Sequence, residues 1–397
     1  MNQIDLIDDQ LDESEENLVP AGQPLTDAEI EERYASSSFR VIYQSNNYFL
    51  PQIKDLIEGR EIINLRPEYQ RRLRWTTKQK SLLIESLLLN VPVPPVFLYE
   101  SDLARYEVMD GQQRLSTISE FMSNEFELVG LESLKILTGR RYSQLPPRIK
   151  RGLERASISA IVLLHETQSG DNNPSLVRRY VFQRLNTGGK ALNAQEIRNS
   201  LYSGPFNELI INLARLPHFC VAFGIPEYSE TDENEFYENP ARKSNHLYKK
   251  MGDCQLVLRF FAFQDDLYVK GSVKSMLDSA MERHQNAHEA QLQTLSATFQ
   301  AAIATAHEVF GTQVFTLPPD HKGVRRVSAA LYDAVMVALF RRAEKVSDYI
   351  VHKDAIKAGV DELSTSDIAL MTGRANTAQS IKDRITAVIG VLDVIVP

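Results

Sequence analysis

The chain has 397 residues, a length that allows two domains, and its 43% hydrophobic content is sufficient to bury a core. No run of about 18 uncharged apolar residues occurs, and the N-terminus is acidic where a secretory signal is basic and then apolar. We therefore expect a cytoplasmic protein without membrane segments. The two cysteines, Cys220 and Cys254, lack the paired spacing of a zinc site and predict neither a disulfide framework nor a structural metal.

The formal net charge of -8 is unevenly distributed along the chain. The first 32 residues contain 11 acidic residues and no lysine or arginine, whereas the rest has 41 acidic and 44 basic residues. Residues 1–35 therefore have the composition of a disordered acidic arm, or of one that mimics nucleic acid and covers a basic surface. A local basic cluster comprises Arg66, Arg71, Arg72, Arg74, Lys78 and Lys80.

Residues 36–173 predict an α+β domain. Strands are predicted at 39–43, 62–65, 96–99, 106–109 and 157–164, and helices at 50–58, from Thr76 or Thr77 to 90, and at 112–123. Gly59 ends the first of these helices, and either threonine can cap the second.

Residues 174–397 predict a mainly α-helical domain, because helical spacing of apolar residues dominates there and strand candidates are few. Predicted helices span 176–185, 193–202, 206–213, 253–263, 273–310 with breaks, 328–345 and 377–391.

The clearest candidate site follows the strand at 106–109, where Asp110 and Gly111 lead directly into a helix. The amides at a helix N-terminus favour phosphate, and Gly111 allows close approach of a ligand. Arg114 can donate two hydrogen bonds to phosphate oxygens, and Asp110 could hold a water-bound Mg²⁺ as one part of a site. The structural alternative is a capped turn in which Asp110 accepts from the first helical amides and Arg114 pairs with a surface acid.

A second segment combines aromatic and guanidinium groups, which can stack on a base and clamp a phosphate. It contains Tyr69, Gln70, Arg71, Arg72 and Trp75. The alternative is a basic helix entrance in which Trp75 is an apolar anchor.

A third segment, 181–199, reads as a helix, a glycine turn and a second helix. Gly188 and Gly189 are suited to end the first helix, while Asn193 can cap the second with Glu196 at the capping-box position. Asn186 could also face a ligand, so both a structural and a binding role stay open.

Taken in order, these three segments resemble the DUF262 family. The resemblance rests on Pro67-x-Tyr69-Gln70-Arg71 with Trp75, on Asp110-Gly111-Gln112-Gln113-Arg114-Leu115-Ser116-Thr117, and on Phe182-x-Arg184-Leu185-Asn186-Thr187-Gly188-Gly189. That family includes the S part of GmrSD-type modification-dependent restriction enzymes and the N-terminal part of SspE-type effectors. The resemblance implies a ParB/sulfiredoxin-like α+β domain that binds or hydrolyses a nucleoside triphosphate, followed here by the helical domain. Mg²⁺ at Asp110 is the candidate second cofactor.

The resemblance also implies roles for individual residues. Arg114 would contact phosphate, Gln112 and Gln113 would align the nucleotide or an attacking water, and Gln70 with Arg71 would close the opposite side. The predicted catalytic set is Asp110, Gln112 and Gln113; the nucleotide-binding set is Tyr69, Gln70, Arg71, Gly111, Arg114 and Asn186; the nucleic-acid-binding set is Arg72, Arg74 and Lys78; and the predicted metal ligand is Asp110.

Many relatives carry a C-terminal nuclease with a His-x-x-Pro core, and this chain departs from them. His284, His307, His321 and His352 lack that proline, and the i,i+4 pair His284 and His288 lacks a clear third ligand. We therefore expect a nucleotide-binding and hydrolysing sensor or regulator of an antiphage or restriction system that acts with a separate nuclease. The alternative is a DNA-binding module without turnover. The preferred base and the oligomeric state stay open.

Overall fold

A computed structural model describes residues 42–65, 75–164, 193–202, 204–231, 233–319, 323–373 and 376–397, together with 11, 26–27, 31, 39–40, 168–169, 181 and 184. The chain divides into two compact units, an N-terminal unit of Val19–Leu192 and a helical unit of Asn193–Pro397 that also takes in Met1–Leu18. The expected disorder of the acidic arm, the boundary at 173 and the helix at 176–185 fall mostly outside the described residues and stay predictions.

The N-terminal unit is mixed α/β. Its described strands are β1 (Phe39–Arg40), β2 (Tyr43–Phe49), β3 (Ile63–Asn64), β4 (Val96–Asp102), β5 (Arg105–Asp110), β6 (Ser157–Leu163) and β7 (Gln168–Ser169). Its described helices are α1 (Leu50–Lys54), which continues as a π-turn over Asp55–Gly59, α2 (Thr77–Leu88), α3 (Gln112–Met122) and α4 (Pro147–Arg155).

Five strands form a mixed sheet in the order β2-β6-β4-β5-β3, while β1 and β7 form a separate antiparallel pair. β2 and β6 are antiparallel, β4 is parallel to β6 and antiparallel to β5, and β3 is parallel to β5. Leu98 stands opposite Val162 on one side and Val108 on the other. These three side chains belong to the apolar core of the unit, which also contains buried residues of α1, α2, α3 and α4.

Local sequence explains where these helices begin. Thr76 caps α2 by accepting a hydrogen bond from the Gln79 amide, and the Gln79 side chain accepts from the Thr76 amide in return. The predicted helices at 50–58, 76–90 and 112–123 and the predicted strands at 62–65, 96–99, 106–109 and 157–164 are confirmed to within a few residues. Of the strand predicted at 39–43, Phe39–Arg40 form β1 and Tyr43 begins β2, whose remaining residues up to Phe49 were not predicted. Helix α4 was not predicted, because it is only nine residues long and its apolar face consists of Ile149 and Leu153.

The helical unit contains the described helices α5 (Ala194–Leu201), α6 (Pro205–Leu213), α7 (Pro217–Phe223), α8 (Glu233–Glu238), α9 (Pro240–Ser244), α10 (His246–Lys249), α11 (Gly252–Phe263), α12 (Val273–His284), α13 (Glu289–Phe310), α14 (Ala329–Arg341), α15 (Val346–Val351), α16 (Lys353–Ser366), α17 (Ile368–Met371) and α18 (Ala378–Ile395). The predicted mainly helical second half is confirmed. Among the described helices none is long and apolar enough to cross a bilayer.

The core of this unit surrounds α11 and α14, in which nearly every residue is buried. Aromatic rings from several helices meet there, with Phe260 edge-on to Phe299 and Phe219 edge-on to Tyr332. The same core contains charge: Arg259 donates to both carboxylate oxygens of Asp333, and both side chains are fully buried.

Candidate functional site

Gly111 makes the turn between β5 and α3. Its φ of 96° lies in the left-handed region, and a Cβ atom there would stand 2.4 Å from Cγ1 of Val96. The backbone conformation and the close approach of β4 therefore both require glycine. Gly111 is the N-cap of α3, so the first turn of the helix begins without a side-chain cap from that position.

Asp110 and Arg114 flank this turn and bind one another. Arg114 Nη2 lies 2.6 Å from Asp110 Oδ2, and Nη1 donates to the carbonyl oxygens of Pro94 at 2.6 Å and Pro95 at 3.3 Å. The Arg114 side chain is 12% exposed and that of Asp110 is 42% exposed. The structural alternative predicted that Arg114 pairs with a surface acid and that Asp110 caps the helix. Arg114 does pair with an acid, which is Asp110 itself, and the N-cap residue is Gly111.

Gln112 and Gln113 point to a different side of α3, where they line a pocket of about 610 Å³ within the N-terminal unit. Gln112 is buried, and Gln113 Oε1 accepts a hydrogen bond of 3.0 Å from the Trp75 amide. The α3 wall of the pocket is completed by Ser116, Ser119 and Glu120, and the facing wall contains Ile57, Glu58, Glu61, Ile63, Asn64 and Leu65. The five α3 residues follow the i, i+3, i+4 spacing of one helix face.

The far end of the pocket is rich in carboxylates. Glu58 accepts hydrogen bonds from the hydroxyls of Ser119 and Ser123, and Lys80 Nζ lies 2.5 Å from Glu120 Oε2. Partial burial, followed by the negative charges of Glu120 and Glu58, raises the pKa of the Glu125 carboxyl above its ordinary value. This end therefore favours hydrogen-bond donors over anions.

Leu65 and Trp75, which flank the basic segment 66–74 in sequence, both lie at the pocket. Leu65 lines the pocket, and the Trp75 amide donates to Gln113. The predicted site residues between Leu65 and Trp75 in sequence fall outside the described residues. They are Tyr69, Gln70, Arg71, Arg72 and Arg74.

Lys78 and Asn193 are the other predicted residues that can be placed. Lys78 lies in the first turn of α2 and is exposed, with its aliphatic carbons against Gly130. Asn193 caps α5 by accepting from the Glu196 amide, and Glu196 accepts from the Asn193 amide, so the predicted capping box is confirmed. Asn186 falls outside the described residues.

Asp110 is the one carboxylate predicted to bind a metal, and it is ion-paired with Arg114. Among the described residues no group of three or more His, Cys, Asp or Glu side chains is placed to hold a metal ion. Mg²⁺ commonly binds through one or two carboxylates together with substrate phosphates and water. A single carboxylate such as Asp110 fits a Mg²⁺ site completed by substrate phosphates and water. It does not fit a site in which the protein supplies all the ligands.

Comparison with known families supports part of the resemblance. Residues 53–203 match the family model described as GmrSD restriction endonuclease, N-terminal domain, a segment that spans less than half of the chain. This match contains the Asp110–Arg114 turn and every wall of the pocket. No match was found among curated proteins or among solved structures.

Sequence reasoning missed the carboxylate end of the pocket. Ser116, Ser119 and Glu120 share a helix face with Gln112 and Gln113, so helical periodicity from the motif could have indicated them. Glu58, Lys80 and Glu125 come from separate elements that the fold brings together. Lys80 had been noted only as part of the basic cluster, and no local pattern marked the two glutamates.

Proposed function

We propose that the N-terminal unit binds a nucleoside triphosphate in the pocket beside α3, and that the chain is the nucleotide-responsive component of a restriction or antiphage system. The observation that carries the proposal is the joint placement, at one pocket, of Gln112, Gln113, Leu65 and Trp75, the last two of which flank the arginine-containing segment 66–74 in sequence. The match to the N-terminal domain of a restriction endonuclease supports the biological setting.

The proposed triphosphate lies at the Gln112 and Gln113 end. Amide groups in the first turn of a helix carry partial positive charge, and neutral carboxamide side chains add donors without repelling phosphate. Gln70 and Arg71 belong to a segment attached at Leu65 and Trp75, so we propose that they contact the same phosphates. Arg114 is the less direct candidate, because a phosphate would have to replace its bonds to Asp110 and to the carbonyls of Pro94 and Pro95.

The nucleoside then occupies the opposite end. The carboxylates of Glu58, Glu120 and Glu125 repel a polyphosphate, whereas they accept hydrogen bonds from ribose hydroxyls or from amino groups of a base. The volume of about 610 Å³ lies within the usual range of small-molecule sites. Charge therefore orients the nucleotide along the pocket.

Hydrolysis is a further part of the proposal. Gln113 is held by the Trp75 amide through its oxygen, which leaves the carboxamide NH₂ as a donor that can align a water or a phosphate. Mg²⁺ would enter with the triphosphate and neutralise its charge, with Asp110 as the protein ligand. Release of inorganic phosphate, lost in Gln113→Glu and reduced in Asp110→Asn, tests this step.

Two further parts of the proposal, the fold type and the partner, rest on the family resemblance. We propose a ParB/sulfiredoxin-like fold for the N-terminal unit and a separate nuclease as partner, since the chain lacks the His-x-x-Pro core of the fused nucleases. The test for a partner is affinity purification of the tagged chain from its own cells, with the nuclease identified by mass spectrometry.

A thermal-shift screen tests nucleotide binding directly. ATP, GTP, CTP and UTP are each added with Mg²⁺ to the full chain, beside the matching nucleosides and inorganic triphosphate. A ligand at 100 times its Kd adds about 2.7 kcal/mol to the stability of the folded state, so at least one triphosphate is expected to raise Tm clearly. No shift with any of the four would overturn the proposal.

The alternative of a DNA-binding module draws on one observation, the exposed Lys78 immediately after the basic segment. DNA binding through such groups weakens steeply with salt, because counterions are released from the phosphate backbone. Salt-sensitive binding that ignores added nucleotide and is lost in Arg71→Ala with Arg72→Ala would favour this alternative.

A further inference from the structure

The outer edge of the five-stranded sheet is unusual at β2. The sheet ends at β3 on one side, where the strand has two residues, and at β2 on the other, where it has seven. Short strands, lysines, prolines or bulges normally protect sheet edges. The β2 sequence, Tyr-Gln-Ser-Asn-Asn-Tyr-Phe, contains no charged residue and no proline, and its pairing with β6 runs without a bulge.

The register with β6 shows which backbone groups of β2 point outward. The Leu50 amide donates to the Ala156 carbonyl, and the Leu164 amide donates to the Ile42 carbonyl. Between these two pairs the antiparallel register is continuous, so the even-numbered residues of β2 bond to β6. The N–H and C=O groups of Tyr43, Ser45 and Asn47 therefore face away from the sheet.

At the C-terminal end of β2, one outward-facing backbone group already has a hydrogen-bond partner. The Phe49 amide, which also faces outward, donates to Gln52 Oε1 at the start of α1. The side chains of Tyr43 and Phe49 are nonetheless large, apolar and 64% and 51% exposed. Tyr43, Ser45 and Asn47 thus present their outward-facing backbone groups on an exposed edge without charge. Two such edges from identical chains do not repel one another.

We infer that β2 pairs antiparallel with β2 of a second copy of this chain, around a two-fold axis at Ser45. In this register Ser45 faces Ser45, and Tyr43 of each copy faces Asn47 of the other. The outward groups at these positions can form about six interchain hydrogen bonds, which join the two sheets into one. Such a self-complementary contact is the commonest kind of symmetric dimer interface. The inference does not depend on nucleotide binding.

Charge placed at the axis tests the inference. Sedimentation velocity of the full chain over a range of concentrations is expected to show a dimer. In Ser45→Lys or Ser45→Glu, like charges meet across the axis with Cα atoms about 5.5 Å apart, so each variant alone is expected to be monomeric. An equimolar mixture of the two is expected to restore the dimer.

Ser157→Lys is the matched control. Ser157 is exposed, stands opposite Phe49 on β6 and lies one strand in from the edge, so a lysine there leaves the outer edge of β2 unchanged and the dimer intact. Circular dichroism checks that each variant is folded. A monomeric wild-type chain at about 100 μM would overturn the inference. The outer edge of β2 would then be left to pair with a strand of another protein. A dimer that persists in both Ser45 variants, or a mixture that stays monomeric, would overturn it equally.

Discussion

Asp110 Oδ2 and Arg114 Nη2 lie 2.6 Å apart across the first turn of α3, and the same guanidinium holds the carbonyls of Pro94 and Pro95. One side chain thereby joins the end of β5, the start of α3 and the segment that enters β4. Gln112 and Gln113 are carried on this turn. The motif therefore has a structural part, Asp110 with Arg114, and a part that faces the pocket.

Arg114→Ala is expected to lower the free energy of unfolding by about 1 to 3 kcal/mol, because it removes an ion pair and leaves two carbonyls without that donor. Urea unfolding measures the change. Arg105→Ala is the control, since Arg105 is exposed and donates to one carbonyl, that of Glu61, so its removal should cost no more than about 0.5 kcal/mol. Equal effects in the two variants would contradict the structural role of Arg114.

Gly111→Ala tests the turn itself. The variant must accept a left-handed backbone and a Cβ that meets Val96, so we expect a loss of more than about 3 kcal/mol in the free energy of unfolding. Gly139 also has a positive φ, of 79°, but nothing lies within 4 Å of its Cβ position. Gly139→Ala is therefore expected to cost about 1 kcal/mol, from the backbone alone. A cost for Gly111→Ala no larger than this would show that Val96 moves aside.

The sequence predicted most of the N-terminal unit, and α5 of the helical unit, because the signals are local. Asp110-Gly111 between a strand and an amphipathic helix, Thr76 before α2, and Asn193 with Glu196 before α5 each depend on neighbours within a few residues. Such short-range patterns are independent of how the elements pack.

Three features were not predicted from the sequence. The hydrogen bonds from Arg114 to the Pro94 and Pro95 carbonyls join segments about 20 residues apart, so no local pattern indicated them. The pocket requires Glu58, Lys80 and Glu125 to meet from elements that are separate in sequence. The seven-residue edge of β2 was likewise hidden, because its apolar signal ends at 43 and its middle is polar.

Asp333→Asn tests the buried charges of the helical unit. Asp333 pairs with Arg259 at 2.5 Å and lies 3.6 Å from Arg384, and all three side chains are fully buried. Removing the carboxylate charge leaves two guanidinium groups without their shared anion, so we expect a loss of about 3 to 5 kcal/mol in urea unfolding. Asp266→Asn, at a pair with Arg341 in which Asp266 is 54% exposed, should change stability by less than about 1 kcal/mol. A comparably small loss in Asp333→Asn would contradict the account of this core.

Glu230 predicts a pH dependence. Arg242 Nη2 donates a hydrogen bond to the Glu230 carboxylate, and this bond is the main reason why the pKa of Glu230 is lowered to about 2. The Arg242 side chain is fully buried. A lowered carboxyl pKa contributes stability that is complete above the ordinary value of 4.5 and is lost as the pH falls toward 2.

The check is the Tm of the wild-type chain and of Glu230→Gln between pH 7 and pH 2. Glu230→Gln is expected to be less stable at pH 7, with the difference shrinking as the wild-type carboxylate takes up a proton. Glu238→Gln is the control, because Glu238 is 56% exposed in its pair with Lys243. A constant difference between wild type and Glu230→Gln across this pH range would contradict the prediction.

Calorimetric titration of Mg²⁺-bound nucleoside triphosphate into wild type, Gln113→Glu and Gln144→Glu tests the central claim most directly. Glutamate at 113 keeps the oxygen that accepts from the Trp75 amide but places a negative charge beside the proposed phosphates. Gln144 is exposed and its Oε1 likewise accepts a backbone hydrogen bond, from Arg141, so Gln144→Glu adds the same charge in the same kind of contact away from the pocket. We predict saturable binding to wild type and Gln144→Glu and at least a tenfold loss of affinity in Gln113→Glu. Unchanged affinity in Gln113→Glu would contradict the placement of the triphosphate at α3.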